Sequence, residues 1–420
     1  MRRLSIVEPY RFLFLTLLLQ LSAHLFAGDV NEYAFGVNDH ILYRSNADQD
    51  VAFQYYLESD TKQLRINVDW HTLEPEEGVY STSRLPALDY FFEQCAKHEI
   101  RVLMSIAYAP SWANGGKQGH GWPPTNNEAY ADFCEWVFRR YAHLKGADGQ
   151  RTLEAIEIWN EPDLCDLFFK GYNRYSPDAA RAYAEIVKVT GGRLQSVRKE
   201  LGAEDVLIGA PVISNVHAVC WSPAGVQSWM DAFYETPDVT DYYDFFSWHT
   251  YWENAGTTGW LPPELPVCWN PANQKLAVMG KLVAPGEENI WAKMKAYGDS
   301  QKPNWCTEIG ASARTDSPAH DKRLLSLSEQ RTHLEDTLTV LSEGKVNQLE
   351  RIYWYELFDE PYAHPSQQVY GILALNDSMP IEYVDKSIQL SGADITPKPA
   401  YDAYRTAKKR GSLPRRHAAR

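Results

Sequence analysis

The stretch Ala155-Ile156-Glu157-Ile158-Trp159-Asn160-Glu161-Pro162-Asp163 decides the fold. Its first part, Ala155–Trp159, is a short apolar run interrupted only by Glu157, and polar residues follow it directly. Short apolar runs without a solvated face are typical of parallel strands that are covered on both sides. The stretch therefore predicts an α/β protein with Asn160 and Glu161 at the carboxyl end of a buried strand.

Seven similar runs bring the number of predicted strands to eight. They are Tyr33–Val37, Leu64–Val68, Val102–Ala107, Ala155–Trp159, Val206–Ala210, Phe245–Trp248, Asn304–Thr307 and Arg351–Trp354. Helical patterns separate them at Arg84–His98, Asn126–Leu144, Pro177–Leu201, Gly225–Glu235, Glu287–Tyr297 and Ser326–Ser342, and Pro399–Lys409 follows the last strand. This alternation predicts a single-domain (β/α)8 TIM barrel. Long connections at Trp252–Pro285 and Tyr355–Thr396 follow strands, so we expect loops at the catalytic face of such a barrel.

The termini carry the predicted targeting signals. Arg2 and Arg3 precede an apolar run at Phe12–Leu21, and Ala27 offers a small residue for cleavage. This pattern predicts a signal peptide at 1–27, a catalytic domain at 28–410 and a secreted or periplasmic protein. An uncleaved N-terminal membrane anchor is the alternative, and no other segment is long enough to cross a membrane. A basic tail at 411–420 is expected to be disordered and solvated, and the basic residues of this last stretch are Lys408, Lys409, Arg410, Arg415, Arg416 and Arg420.

Charge and cysteine content exclude some partners. The chain of 420 residues has 41 basic and 55 acidic side chains, and the resulting charge of −14 disfavours nucleic acid. No Cys or His spacing resembles a zinc site, so no metal is expected. We expect a disulfide among the loop residues Cys165, Cys220 and Cys268, and a buried thiol at Cys306.

Two glutamates carry the predicted chemistry. Glu161 ends the fourth strand, and Glu308 ends the seventh strand within Trp305-Cys306-Thr307-Glu308-Ile309-Gly310. Cleavage of a glycosidic bond needs one carboxyl group that donates a proton and another that is ionised. If the two carboxyl groups are about 5–5.5 Å apart, the anomeric configuration is retained.

The sequence resembles the clan of (β/α)8 glycoside hydrolases with catalytic Glu residues on strands four and seven. The string Trp159-Asn160-Glu161-Pro162 is the most specific match, and family 39 looks closest, followed by family 5. Further matching strings are Leu64–Trp70, Leu73–Tyr80, Ala109–Ala113, Phe246–Tyr251 and Lys398–Tyr401. The resemblance implies that Glu161 is the acid/base and Glu308 the nucleophile, acting on a carbohydrate without a cofactor.

The resemblance also implies helper residues. Asn160 would bind the sugar 2-hydroxyl, and Arg65 would keep the nucleophile ionised. His249 and Tyr251 match a pair on strand six, and Trp354 matches an aromatic floor on strand eight. Asp163 departs from the family pattern, which often has Asn at that position.

Several of these positions have a second interpretation. Arg65 could neutralise Glu157, which also points into the barrel if side chains alternate, and His249 or Trp354 could be structural. Candidate sugar platforms are Trp112, Trp122, Trp252 and Trp260. Further carboxylates at the same end, expected to be solvated, are Glu74, Glu356, Asp359 and Glu360.

Three alternative functions remain at this stage. A metal-dependent hydrolase would need several ligands at strand ends, and His249 is the one convincing strand-end histidine. A catalytically silent carbohydrate-binding barrel would not need both Glu161 and Glu308. An endo-acting enzyme would have an open cleft, whereas the two long loops slightly favour a pocket and exo action.

Overall fold

Eight parallel strands close into a barrel in chain order, with β8 pairing with β1. The computed structural model describes residues 34–173, 176–214, 228–251, 290–314, 325–342, 348–359, 369–375 and 389–409. The barrel strands are β1 (Phe35–Asp39), β2 (Gln63–Asp69), β3 (Arg101–Ala107), β4 (Leu153–Ile158), β5 (Leu207–Ile213), β6 (Phe245–Tyr251), β7 (Asn304–Gly310) and β8 (Leu349–Trp354). The prediction of a (β/α)8 barrel is confirmed.

Helices cover the outside of the barrel. They are α1 (Asn46–Glu58), α2 (Trp70–Leu73), α3 (Arg84–Lys97), α4 (Asn127–Tyr141), α5 (Pro177–Glu200), α6 (Trp229–Tyr234), α7 (Ile290–Ala296), α8 (Leu327–Ser342) and α9 (Pro399–Lys409), with 3-10 turns at Ile41–Tyr43 and Val239–Tyr242. The sequence did not predict α1, because two of its buried side chains, Asp48 and Gln49, are polar and interrupt the apolar stripe. Ser45 begins this helix with a capping box that includes Asp48.

An apolar plug fills the lower part of the barrel interior. Its members are Leu103, Ala155, Phe245, Trp305 and Tyr353. The rings of Phe245 and Trp305 stack with centroids 4.0 Å apart. Side chains alternate along each strand, so the next inward positions toward the carboxyl ends lie directly above this plug. Those positions are polar, and they form the base of the candidate site.

The connection after β8 contains regular structure that the sequence did not predict. Within Tyr355–Thr396, β9 (Leu373–Leu375) pairs antiparallel with β10 (Ile395–Pro397). Lys398 then donates to Asp359 over 2.8 Å and lies 3.3 Å from the carbonyl oxygen of Ala313. The start of α9 is thereby tied to the loops that follow β7 and β8.

Several expectations about solvated side chains were wrong. Glu74, Glu356 and Asp359 are buried, and the carboxylate of Glu74 accepts from the indole of Trp70 over 2.7 Å. Lys408 is also buried and donates to the carbonyl oxygen of Phe35, because α9 packs its last turn against the start of β1. Buried polar groups of this kind need internal partners, which the sequence does not reveal.

Some predictions fall on residues outside those described. These are the signal peptide at 1–27, the loop Trp252–Pro285, the tail from Arg410, and the residues Trp252, Trp260, Cys220, Cys268 and Glu360.

Cys306 is a buried thiol as predicted, and Cys165 is buried with its sulfur 3.4 Å from the carbonyl oxygen of Pro162. Among the described helices, none combines the length and the apolar character that a membrane span requires.

Two adjacent glycines in α5 provide a test of how tightly this helix packs. A Cβ atom on Gly191 would lie 2.1 Å from the carbonyl oxygen of Tyr242, whereas one on Gly192 would lie 3.4 Å from the Tyr242 ring. Replacing a helical Gly by Ala normally stabilises by about 0.5–1 kcal/mol. We expect Gly192→Ala to show that gain and Gly191→Ala to destabilise by about 1–3 kcal/mol through overpacking. Urea unfolding followed by circular dichroism measures both, and equal free energies for the two variants would contradict this packing.

Candidate active site

The two predicted catalytic glutamates lie together at the carboxyl ends of β4 and β7. Glu161 and Glu308 are both buried, and one oxygen of each lies within 4.8 Å of the other. His249 completes the group from β6, with its Nδ1 atom 2.8 Å from Glu161 Oε1 and 3.5 Å from Glu308 Oε2. A shift in register between β6 and β7 immediately before His249 places that residue opposite Glu308.

Arg65 on β2 is the hub of the site. Its side chain is 1% exposed, and its guanidinium donates to Glu308 Oε1 over 2.6 Å and to Glu157 Oε2 over 2.7 Å. It also donates to Asn38 over 3.0 Å and to Asn160 over 2.9 Å. One buried cation therefore connects residues of β1, β2 and β7 with residues of β4 and the turn after it. Arg65 forms ion pairs with both Glu308 and Glu157, so the contacts that the two interpretations require are both present.

Glu157 is the last inward-facing residue of β4 and precedes Glu161 by four positions. Its second oxygen accepts from Ser247 on β6, and the Ser247 hydroxyl lies 2.7 Å from the Thr307 hydroxyl on β7. The carboxylate is fully buried. The sequence indicated that Glu157 points inward, but it did not indicate that the residue shares a cation with Glu308.

The backbone after β4 turns sharply to present Glu161. Trp159 and Glu161 adopt φ angles of 69° and 47°, a left-handed region that non-glycine residues seldom occupy. The Trp159 amide lies 3.0 Å from both the carbonyl oxygen of Ile106 and the hydroxyl of Tyr130, and its indole donates to the carbonyl oxygen of Phe168. These contacts hold the strained turn in place, as is common at functional sites.

The Asn160 side chain is fixed at both of its polar ends. Its carbonyl oxygen accepts from Arg65, and its Nδ2 atom lies 3.1 Å from the hydroxyl of Tyr108. Tyr108 is itself buried at the end of β3. The amide plane beside Glu161 is thus oriented before any ligand is present.

The two sides of the site differ in protonation. Burial raises the pKa of Glu161 to about 7, although the nearby Arg65 charge opposes that rise. Burial also lowers the pKa of His249 to about 4, so the ring is neutral at neutral pH. The guanidinium of Arg65 lies 3.5 Å from His249 Nε2 and can only donate, which places the ring proton on Nδ1. His249 then donates to Glu161 Oε1 and leaves Oε2 as the position for the acidic proton.

One predicted helper, Trp354, is not brought into this group. Trp354 is buried outside the barrel, 5.5 Å from the ring of His333 on α8, because side chains alternate and Tyr353 takes the inward position. The expectation that Trp354 forms the floor is therefore wrong. Tyr355, the next residue, has its hydroxyl 3.2 Å from His40 Nε2 beyond the end of β1. Because Tyr353 points into the barrel, alternation places Tyr355 rather than Trp354 on the inner side at the end of β8.

Trp112 and Tyr251 complete the set of predicted residues. Trp112 is half-buried, meets Trp70 edge to face at 5.4 Å, and donates its indole N–H to the carbonyl oxygen of Glu74 over 3.0 Å. These contacts attach Trp112 to Trp70 and to the backbone of Glu74. Tyr251 ends β6, but its side chain lies outside the described residues.

Asp163 is a buried carboxyl that sequence reasoning noted only as a departure. Its oxygens accept from the Ser214 amide over 2.8 Å and from the Ser214 hydroxyl over 2.6 Å, which ties the turn after β4 to the end of β5. Burial raises the pKa of Asp163 to about 7, and the neighbouring Glu161 adds to that effect. An asparagine at this position could form the same two hydrogen bonds with Ser214 without an ionisable group.

Glu161, His249 and Glu308 also have the atoms to hold a metal ion, and they form the one such group among the described residues. A buried dication there would lie beside the guanidinium of Arg65, which is 2.6 Å from Glu308. Like charges at that range repel strongly in a buried environment. The donor set therefore fits a proton-transfer site better than a resident metal.

Comparisons with solved structures give barrels of the same fold. A family 39 glycoside hydrolase from Bacteroides cellulosilyticus WH2 superposes with a TM-score of 0.52 at 18% identity, over 90% of this chain and 64% of that one. A family 39 β-xylosidase from Caulobacter crescentus gives 0.56 at 16% identity, over 91% and 72%. A β-glucosidase from Exiguobacterium marinum gives 0.57 at 14% identity, over 91% and 99%. Comparison of the sequence with family models and with curated proteins gives no match.

The Asp163 carboxyl generates a prediction about stability and pH. Its raised pKa means that the folded state holds this proton more tightly than the unfolded state, so its ionisation destabilises the fold as the pH rises from about 4 through about 7. We expect Asp163→Asn to gain stability relative to the parent protein between pH 5 and pH 8, as measured by urea unfolding. Asp89→Asn is the control. Hydrogen bonds from Arg140 lower the pKa of Asp89 despite its partial burial, so the difference in unfolding free energy between this variant and the parent protein should not change between pH 5 and pH 8. If the difference in unfolding free energy between Asp163→Asn and the parent protein did not change with pH, Asp163 would not be a buried neutral carboxyl group.

Proposed function

We propose that this protein is a retaining glycoside hydrolase of the family 39 type that acts on β-linked sugars. The observation that carries the proposal is the close pair Glu161 and Glu308, in which His249 contacts Glu161 and Arg65 contacts Glu308. The separation of less than 4.8 Å between their nearest oxygens suits the short spacing of retaining enzymes. An inverting enzyme needs room for a water molecule between its carboxyl groups, at about 6.5–9.5 Å.

In the first step, Glu308 attacks the anomeric carbon while Glu161 Oε2 gives its proton to the departing glycosidic oxygen. This forms a covalent glycosyl ester on Glu308 and releases the leaving group as an alcohol. In the second step, Glu161 removes a proton from water, and the resulting hydroxide displaces Glu308 from the sugar. Arg65 supports the carboxylate form of Glu308 at the start and end of this cycle.

The chemistry of the substrate follows from the same comparison. Solved relatives of this fold include a β-xylosidase and β-glucosidases, and we extend to this chain the class of β-linked oligo- or polysaccharides. The mechanism requires no cofactor. We also propose export through the signal peptide at 1–27, which gives a secreted or periplasmic enzyme, with an uncleaved N-terminal anchor as the alternative.

The raised pKa of Glu161 predicts the pH dependence of catalysis. Because Glu161 must carry a proton in the first step, kcat/KM should fall above a pH of about 7. Hydrolysis of an aryl β-glycoside with a poor leaving group, measured from pH 4 to 9, tests this expectation. A substrate whose leaving group needs no protonation should lose less activity on the alkaline side. An identical alkaline limb for both substrates would argue against Glu161 as the acid.

Removal of the nucleophile tests the role of Glu308. We expect Glu308→Ala to lower kcat at least about 10⁴-fold and added azide to restore turnover as an α-glycosyl azide, since the small anion enters from the vacated face. Glu161→Ala is the matched variant, and with an activated substrate it should give a β-glycosyl azide. Proton NMR of the first product of the parent enzyme should show the β-anomer.

Other outcomes of these assays would favour the rival functions. An α-anomer as the first product would exclude the two-step mechanism. Activity that disappears in EDTA and returns with a divalent ion would favour a metal-dependent hydrolase. Absence of hydrolysis across panels of aryl glycosides and polysaccharides, with retained sugar binding, would favour a catalytically silent barrel. Endo or exo action is read from the sizes of the products.

A further inference from the structure

We infer that Glu157 is a positioning residue that sets how much of the positive charge of Arg65 reaches Glu308 and Glu161. The inference rests on the proposed function and deepens it. Glu157 does not touch the reacting atoms, and it acts through the guanidinium that it shares with the nucleophile.

The geometry divides the guanidinium between two carboxylates. Arg65 donates from Nε to Glu157 over 2.7 Å and from Nη1 to Glu308 over 2.6 Å. All three side chains are buried. Without Glu157, the whole cation would face Glu308 in a medium of low polarity, and such a tight ion pair would be a weak nucleophile.

Glu157 is also prevented from turning away. Ser247 donates to its second oxygen, and the Ser247 hydroxyl is in turn held beside Thr307 at 2.7 Å. Contacts from β6 and β7 therefore fix the carboxylate in the polar layer above the apolar plug. A carboxylate that is held on both oxygens gives Arg65 one fixed position.

The charges around Glu157 give the direction of the effect. Ionisable groups that face it from the packed elements are Arg65 on β2, Tyr183 on α5, His249 on β6, Glu308 on β7 and Tyr353 on β8, with Glu161 beyond the end of its own strand. With His249, Glu161 and both tyrosines neutral, the three ions Arg65, Glu157 and Glu308 sum to −1. Loss of the Glu157 charge brings that sum to zero. The positive charge of Arg65 is then less neutralised, and because that charge lowers the pKa of Glu161, the pKa of Glu161 should fall further.

The central experiment compares Glu157→Gln with the parent enzyme. The amide can still accept from Arg65 and donate to the Ser247 oxygen, so the shape is kept while the charge is lost. We expect kcat to fall at least about tenfold, with little change in KM, and the alkaline limb of the kcat/KM profile to move to lower pH by about 0.5–1 unit. A merely structural role would lower activity without moving that limb.

Two further variants separate charge from contact. Ser247→Ala removes a hydrogen bond to Glu157 but keeps the charge, so its alkaline limb should stay in place. Glu157→Asp keeps the charge but shortens the reach to Arg65, so kcat should fall with an unmoved limb. If Glu157→Gln does not fold, Glu157→Asp still tests the inference, because an unchanged kcat or a shifted limb in that variant would overturn it.

The inference can fail separately from the proposed function. If the parent enzyme hydrolyses glycosides and loses that activity in Glu308→Ala, but Glu157→Gln keeps both its limb and its kcat, only the inference is wrong. A readout without turnover is the Arg65 Nε–H proton resonance, identified by its loss in Arg65→Lys. It should lie downfield in the parent protein, as expected for a hydrogen bond to a buried carboxylate, and move upfield in Glu157→Gln; an unmoved resonance would contradict the shared cation.

Discussion

A single buried guanidinium is the constraint on which the rest of the site depends. Burial of an unpaired cation is costly, and Arg65 is stable inside the barrel only because carboxylates and amide oxygens converge on it. Those acceptors come from β1, β4 with the turn after it, and β7. The charge therefore does two things at once, since it fixes the relative positions of these strand ends and it holds the Glu308 carboxyl group by a short hydrogen bond.

The layers of the barrel explain how such a polar centre is tolerated. The apolar plug around Phe245 and Trp305 closes the lower barrel and supplies burial energy, and the hydroxyl of its member Tyr353 donates to Gln63. The polar layer lies above it, and Glu161 and Glu308 lie above that layer. The order can be followed along the chain, from Ala155 in the plug to Glu157 in the polar layer and to Glu161 beyond the end of β4.

Much of the fold and the positions of the two glutamates could be predicted from the sequence, because strand periodicity and strand-end residues are local signals. The eight strands and the positions of Glu161 and Glu308 follow from such signals. Features that depend on distant partners did not follow. The sequence does not show that Asp163 meets Ser214 or that Lys408 reaches Phe35.

The error at Trp354 has a different cause. An apolar strand that is covered on both faces carries no alternation of polar and apolar residues, so its inward parity cannot be read from composition. The plug member Tyr353 fixes that parity in the structure. The helix α1 between β1 and β2 was missed for a related reason. Its buried residues include the polar Asp48 and Gln49, so its buried face is not recognisable as an apolar stripe.

The ion pair between Arg65 and Glu308 joins residues that are 243 positions apart in the chain. During synthesis on the ribosome, β2 therefore emerges long before the carboxylate that its arginine needs. Until β7 arrives, closure of the barrel around Arg65 would bury a cation that is only partly compensated. Contacts at such separation slow folding, and closure of the barrel also waits for β8, which pairs with β1. A truncated chain that ends before β7 would therefore lack both the closed barrel and the carboxylate that Arg65 meets on β7.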